Sequence, residues 1–326
     1  MEESERNHKN PEETNPTVIR SIRHSTFHTL TAMIVWLGSI HLNIILALLL
    51  ILLFPNTSAF WILGLLILVL VVPTSDRSRL GQAIARYVGK YAPGYFPVTV
   101  HIEDAKLFDR DKAYILVAEP HSIFPIGYLS LLNITGLMPL SKTKALASTA
   151  VFYTPFLRQI GIWLGLVPAT KKNFVKYLEA GYSCILIPGG VQEIIYMNRE
   201  FEVAFLKKRF GFVRVSIETG APLVPVFCFG QSDVYSWWKP DGKLYHRIAR
   251  AIRFAPLIFW GGFGSPIPYC RPIQVVVGRP IEIKQNPCPS NEEVAEVHAR
   301  FVSAFHKLFL RYREITGCAD TQIRIM

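Results

Sequence analysis

The sequence predicts an α/β protein, a sheet with flanking helices preceded by an N-terminal hydrophobic helical hairpin that anchors it to a membrane. Three observations carry this. From about Gly81 onward, short runs rich in β-formers alternate with segments of helical periodicity, the pattern of an α/β domain whose sheet is largely buried. Between Leu30 and Val72 the chain is apolar almost throughout. Half of the 326 residues are hydrophobic and mean hydropathy is +0.27, high for a freely soluble protein. The length suffices for one large domain or two ordinary ones with a sizeable core, and no internal repeat is visible.

The net charge of +11 has two common partners, nucleic acid and anionic membrane, and the apolar content favours the membrane. There is no zinc-finger pair, no RNP-type aromatic strand and no basic zipper, so a nucleic-acid partner is not expected. The five cysteines are widely spaced and lack any C-x-x-C, which suggests neither a disulfide framework nor a zinc site. Cys184 and Cys228 sit inside apolar runs and read as core residues.

Taken in order, residues 1–28 are expected to be a disordered cytosolic arm. Residues 1 to about 17 are charged, polar and proline-containing, and the apolar region begins too late for a cleaved signal peptide. Residues 29–73 form the hairpin: Leu30–Phe54, a turn at Pro55-Asn56-Thr57-Ser58, then Ala59–Val72. The second run measures roughly 21 Å as a helix, short of the roughly 30 Å hydrocarbon core. Two geometries follow, a pair of spans or a re-entrant hairpin. Arg20, Arg23, Arg77 and Arg79 flank the region and its turn is uncharged, which places both ends in the cytosol. His41 and Asn43 lie inside it, where polar groups are expensive; hydrogen bonding to the partner helix is the simpler of their two readings, a functional role the other. Asn56 and Asn133 open sequons, and neither is expected to be modified.

Residues 74–326 form the cytosol-facing domain. Helical spacing over Leu80–Tyr91 precedes strands at Val98–Ile102 and Tyr114–Ala118, a helix near Ile123–Leu132 and a strand at Thr143–Ala147. Helices follow at Pro155–Leu166 and Asn173–Ala180, then a buried strand at Ser183–Ile187. A helix near Phe212–Thr219 leads into the strand Leu223–Phe229, with Ile273–Val277 and Ile281–Ile283 extended. Ser290 with Glu293 makes a capping box for a C-terminal helix whose Val294, Val297, Phe301, Phe305, Leu308 and Tyr312 share a face. Between residues 234 and 271, aromatics interleave with cations, and Lys243–Phe254 reads as a helix lying in the membrane interface, or as an ordinary surface helix.

Three blocks carry chemistry. The strand at Tyr114–Ala118 stops at Glu119-Pro120-His121-Ser122, which puts polar residues at the carboxyl end of a sheet strand, where open α/β sheets collect ligands. His121 therefore has the best context for proton transfer near neutral pH. The second block is Pro188-Gly189-Gly190-Val191-Gln192-Glu193. Its glycines let backbone approach a ligand and offer N–H groups to an anion, while Glu193 is placed to orient a histidine or a substrate group. The third runs from Arg209-Phe210-Gly211 through Arg214 to Gly230-Gln231, with Arg209 and Arg214 as phosphate contacts or plain surface cations.

Together with Tyr95-Phe96-Pro97 and Val277-Gly278-Arg279-Pro280, and behind a hydrophobic hairpin, these blocks resemble the type-2 acyl-CoA:diacylglycerol acyltransferase family, in its plant-like branch, from about Phe27 to the C-terminus. The resemblance implies a membrane-anchored fold with a glycerolipid-acyltransferase-like sheet. It also implies an endoplasmic-reticulum enzyme that makes triacylglycerol and works near lipid droplets. The family's usual His-Pro-His-Gly stands here as Glu-Pro-His-Ser, so His121 matches the second histidine and no role of the first transfers to Glu119. The His-x4-Asp dyad of the wider glycerolipid acyltransferases is absent, with Ile126 in the aspartate's place. Glu193 is the carboxylate expected to orient His121 instead.

The expected chemistry is direct attack of the diacylglycerol hydroxyl on the thioester of acyl-CoA, with His121 as general base. Glu119, Pro120, Ser122, Gly189, Gly190, Arg209 and Arg214 are the expected substrate-binding set, with N–H groups near Ser122 or Gly189-Gly190 on the oxyanion. No cofactor or metal is expected beyond acyl-CoA as co-substrate; the partners are acyl-CoA, diacylglycerol and membrane lipid, and a homo-oligomer is compatible with all of this. Monoacylglycerol or a wax alcohol as acceptor stays open. A lipid hydrolase would want G-x-S-x-G, and Gly181-Tyr182-Ser183-Cys184-Ile185 lacks its last glycine. A non-catalytic lipid-droplet scaffold would leave the His121 and Glu193 blocks without a purpose.

Overall fold

A computed structural model of the chain describes residues 16–252 and 255–326. The part of the expected arm before residue 16, and Arg253 and Phe254 of the expected interfacial helix, lie outside the described residues. In chain order the strands are β1 (Thr17–Arg20), β2 (Val98–Ile102), β3 (Ile115–Glu119), β4 (Thr143–Ala147), β5 (Leu166–Pro168), β6 (Ser183–Leu186), β7 (Glu202–Ala204), β8 (Leu223–Phe229), β9 (Ser236–Trp238), β10 (Ile258–Trp260), β11 (Ile273–Val277) and β12 (Ile323–Ile325). The helices are α1 (Thr26–Trp36), α2 (Gly38–Leu53), α3 (Thr57–Val71), α4 (Arg79–Tyr91), α5 (Thr149–Phe152), α6 (Leu157–Leu164), α7 (Lys171–Glu179), α8 (Val191–Tyr196), α9 (Gly211–Thr219), α10 (Lys243–Ile252) and α11 (Asn291–Ile315).

Eight strands form one sheet in the order β1-β2-β11-β8-β3-β6-β4-β5. The run β8-β3-β6-β4-β5 is parallel, so these strands end on one edge of the molecule. β11 pairs antiparallel with β8 and parallel with β2. Period-2 alternation sorts the apolar residues into two cores. Leu116 and Ala118 of β3, with Val224, Val226 and Cys228 of β8, face a core shared with α1 and α4. Ile115, Val117, Phe227 and Phe229 face the other, against Phe301, Phe305 and Phe309 of α11. Both faces are covered, so β2, β3 and β8 are buried along their whole length.

The hairpin is less regular than its composition suggests. The first run splits at Leu37 into α1 and α2, bent by 53°. α1 joins the body, with Ala32 and Met33 in the core beside Ala85 and Val88 of α4. α2 and α3 stand out, with Ile51, Leu52, Trp61 and Leu68 exposed, an apolar patch of the kind that meets lipid or another protein. Among the described residues no single helix is long and apolar enough to cross a membrane, although α1 and α2 together are. α3 begins at Thr57, so the expected turn shrinks to Phe54–Asn56. Its last carbonyls, which a helix end leaves unsatisfied, accept from α6: Arg158 Nη1 donates to Leu70 (2.7 Å) and Gln159 Nε2 to Val69 (2.7 Å).

Other departures have local causes. Thr17–Arg20 is an ordered edge strand rather than part of a disordered arm, because it pairs antiparallel with β2. The segment expected as a helix at Ile123–Leu132 is a 3₁₀ turn over Ile126–Leu131 preceded by Pro125, buried on every side, so its apolar run has no solvent face to give helical periodicity. Leu166 ends the expected helix early by joining β5. Ile281 makes one bridge to Leu223 rather than a strand. Ser290 caps α11 as expected, Oγ accepting from Glu293 N–H (3.1 Å), but the Glu293 carboxylate takes Asn286 instead of closing the box. Tyr245 and Ala249 of α10 pack on Ile195 of α8, while Leu244 and Ile248 stay exposed.

Candidate active site

Three neighbouring strands, β6, β3 and β8, deliver the loops that carry the predicted blocks to the same sheet edge: Pro188–Glu193, Glu119–Ser122 and Gly230–Ser232. The middle loop, after β3, is clamped from both sides. The Glu119–Pro120 bond is cis, and the Pro120 carbonyl accepts from Tyr128 Oη (2.5 Å) and Gln231 Nε2 (2.7 Å). Gln231 Oε1 in turn accepts from Gly127 N–H (2.7 Å). From the β6 side, Glu193 Oε2 accepts the His121 backbone N–H (2.7 Å) and its Oε1 the Phe205 N–H (2.9 Å). A Cβ on Gly189 would lie 1.8 Å from Glu193 Oε1, which is why a residue without a side chain precedes Gly190 there. Glu193, the carboxylate expected to orient His121, contacts that residue through the main-chain N–H, not the ring.

The ring is fixed by its own neighbour. His121 Nδ1 lies 2.9 Å from the Ser122 carbonyl oxygen. A carbonyl oxygen only accepts, so Nδ1 carries the hydrogen, and in the neutral ring Nε2 is the nitrogen with the lone pair. Ser122 adopts φ +53° and is buried, with its Oγ 2.7 Å from Ser232 Oγ. Ser232 donates onward to Glu202 Oε2 (2.9 Å), which leaves the Ser122 hydroxyl as donor to Ser232. Burial pushes the Glu202 carboxyl up to about 7; the Ser232 bond opposes this, and the charges of Asp233 and Glu193 add to it.

Glu119 and the two arginines fall in different places. Glu119 is 0% exposed, beneath the turn rather than at its surface, and neither carboxylate oxygen has a hydrogen-bond partner among the described residues. Burial and then the Glu193 carboxylate raise its pKa well above the usual carboxylate range, against the pull of Arg209. Arg209 reaches the site: Nη2 donates to the Gly189 carbonyl (3.4 Å) and the guanidinium lies over the Phe205 ring. Arg214 instead ties down the start of α11, through the Pro289 carbonyl (3.0 Å) and Asn291 Oδ1 (2.8 Å). Beside them opens a groove of about 470 Å³, floored by Phe174 and Phe212 and edged by Lys171, Lys208, Arg209 and Arg214.

Tyr128, Ser232 and Glu202 belong to the site without having been singled out. Gln231 stood in the third block with no role. No cluster of three or more His, Cys, Asp or Glu able to hold a metal occurs among the described residues.

The blocks, the strand edge that gathers them and the histidine at its centre all lie within the part of the chain, residues 50–326, that matches the sequence model of a known family, described as diacylglycerol acyltransferase. The chain belongs to the diacylglycerol acyltransferase family. As a member it is an O-acyltransferase. It is 32% identical to diacylglycerol O-acyltransferase 2 of Dictyostelium discoideum, covering 72% of this chain and 74% of that one. It is 31% identical to human 2-acylglycerol O-acyltransferase 3 (71% and 73% covered) and 31% identical to human acyl-CoA wax alcohol acyltransferase 1 (70% and 74%). Among solved structures it is similar to the 1-acyl-sn-glycerophosphate acyltransferase PlsC of Thermotoga maritima. That likeness has a TM-score of 0.43 and 16% identity, over 86% of this chain and 98% of that one, too distant to carry functional weight.

Proposed function

We propose that this acyltransferase makes triacylglycerol at the endoplasmic reticulum membrane, moving the acyl group of acyl-CoA onto the free hydroxyl of diacylglycerol with His121 as general base. The observation that carries the reading is the Nδ1–Ser122 carbonyl bond, which presents Nε2 as a proton acceptor at the carboxyl edge of the sheet. Nε2 takes the hydroxyl proton as the oxygen bonds to the thioester carbon. The tetrahedral oxyanion collapses, the C–S bond breaks, and the imidazolium returns the proton to the CoA thiolate, so no cofactor is consumed. The N–H groups of Ser122 and Gly190 donate no hydrogen bond among the described residues and are the oxyanion donors in this reading, each worth roughly 3–4 kcal/mol in known cases.

The cation-edged groove suits the phosphates of CoA, with Lys171, Lys208 and Arg209 as contacts; Arg214 supports its wall. The exposed apolar faces of α2 and α3, with Trp238, Ile258 and Phe263 exposed in the 234–271 segment, support attachment to a membrane or lipid-droplet surface. Both termini are then cytosolic.

The test is transfer of labelled acyl-CoA in microsomes from a host without its own triacylglycerol synthesis, offering diacylglycerol, monoacylglycerol and fatty alcohol side by side, for wild type and His121→Ala at matched protein level. Label in triacylglycerol, reduced about 10²–10⁴-fold in the variant, is expected. Label mainly in diacylglycerol or wax ester moves the reading to the acceptors named by two of the relatives, with the base intact. Full activity in His121→Ala removes the base.

A further inference from the structure

Behind the hairpin lies a cavity of about 920 Å³ between α1, α2, the end of α3, the start of α4 and α6. Its volume is within the usual range of small-molecule sites, and its lining is overwhelmingly apolar, with Ile34, Leu42, Ile45, Val69, Leu80 and Phe156 among it. Not one Lys, Arg, Asp or Glu lines it. Yet three of the residues that line it, His41, Gln159 and Trp163, each carry a buried polar atom (Nε2, Oε1 and Nε1) with no hydrogen-bond partner among the described residues. Buried polar groups are nearly always paired, so three orphans on one apolar cavity imply a missing partner. Gln159 cannot turn away, because its Nε2 is held by the Val69 carbonyl (2.7 Å). Trp163 is seated against Gly81, where a Cβ would lie 2.4 Å from Nε1.

The chemistry of the three atoms describes the guest. Trp163 Nε1 only donates, Gln159 Oε1 only accepts, and His41 Nε2 does either according to tautomer. An ester carbonyl answers the first and a free hydroxyl the second. A phosphate or carboxylate headgroup would find no counter-charge, and a pure hydrocarbon would leave all three orphaned. The apolar remainder fits acyl chains, and α2, with Ile44 and Leu48 exposed, places the cavity beside the surface the hairpin offers to lipid. On its inner side His41 lies 5.9 Å from the Phe259 ring, which meets Phe124 at 5.1 Å, three residues past His121.

We infer that this cavity is the loading site for the acceptor, an uncharged glycerolipid with a free hydroxyl that enters from the hairpin side and is held by its polar head on His41, Gln159 and Trp163. The inference rests on the acyltransferase reading of His121 and adds where the acceptor waits. It also divides the substrates between the two faces of the sheet, acyl-CoA in the cationic groove and the neutral lipid under the hairpin.

The experiment is photolabelling of the purified full-length protein in lipid nanodiscs with a diazirine-bearing diacylglycerol, without acyl-CoA, followed by peptide mapping. Label is expected on α2 and α6, competed by unlabelled diacylglycerol and not by phosphatidic acid of the same chains. Trp163→Phe, which removes the indole N–H together with the pyrrole half of the ring, should lower labelling and raise the KM for diacylglycerol roughly three- to tenfold, leaving the KM for acyl-CoA unchanged. Gln159→Leu should do the same. Label outside the cavity, equal competition by phosphatidic acid, or an unchanged diacylglycerol KM in Trp163→Phe overturns the inference. His121→Ala should label like wild type. Failed labelling in an enzyme that still depends on His121 sinks the loading site alone, whereas a labelled cavity in an enzyme indifferent to His121 sinks the base alone.

Discussion

Above the buried Glu119 carboxyl, the loop after β3 pairs its polar groups, whereas the cavity behind the hairpin leaves three of its own unpaired. At the turn, the Pro120 carbonyl has two donors, the His121 N–H has Glu193, and the Ser122 hydroxyl has Ser232. In the cavity three side-chain atoms have none. A satisfied network rigidifies what it surrounds, and here it surrounds the ring proposed as the base, whose position would have to be held for proton transfer. An unsatisfied set costs stability unless something arrives to pair it. The difference separates a site built to hold its own residues from one built to hold a guest.

If the turn is held by that network, breaking its central acceptor should do the most harm. Glu193→Ala leaves the His121 and Phe205 N–H groups unpaired together. We expect kcat to fall on the order of 10²-fold from misplacement of the ring, with a stability loss of about 2–4 kcal/mol, read by single-turnover transfer and thermal melting. An unchanged kcat would mean the turn holds its shape without the carboxylate.

Gly189→Ala attacks the same acceptor from outside. Its new Cβ would press on Glu193 Oε1, and the carboxylate has to give up the Phe205 N–H to move away. A loss of roughly tenfold in kcat is expected, and none beyond that of Glu193→Ala when the two are combined, since both act on one contact. Additive losses in the double variant would show that Gly189 serves the ligand rather than Glu193.

The same contrast explains what the sequence disclosed. Strands β2, β8 and β11 are read residue for residue because each is a run of β-formers bounded by polar or proline-containing loops. The edge that collects His121 and the Gly189-Gly190 turn is legible because each closes such a run. The role of Glu193 is legible only as proximity. Its contact is with a main-chain N–H 72 residues away, and nothing in the local pattern tells a ring from a backbone. Glu202 and Ser232 belong to no motif, 30 residues apart and joined only when β7 and the end of β8 meet. Arg214 looks like a ligand cation because its partners, Pro289 and Asn291, lie on a distant helix start. The cavity is invisible in sequence altogether: His41 was noted for its cost inside an apolar run, but Gln159 and Trp163 acquire meaning only once α6 packs under α3.

The gentlest probe of the turn is Glu202, the far end of the Ser122–Ser232 relay. Its folded pKa of about 7 stands above its ordinary 4.5, so the folded protein holds this proton more tightly than the unfolded chain does. The stabilisation linked to that proton is fully present below about pH 4.5 and is lost as pH rises through about 7. Glu202→Gln keeps an oxygen to accept from Ser232 and removes the titration. The variant should therefore melt a few degrees higher than wild type at pH 8 and show no such loss between pH 5 and 7.5, with activity little changed because Ser122 still donates to Ser232. Thermal melting of both proteins across that range decides it. A variant that loses stability with pH as the wild type does would place the titrating group elsewhere, and the turn would then be held by the Tyr128, Gln231 and Glu193 contacts without help from the relay.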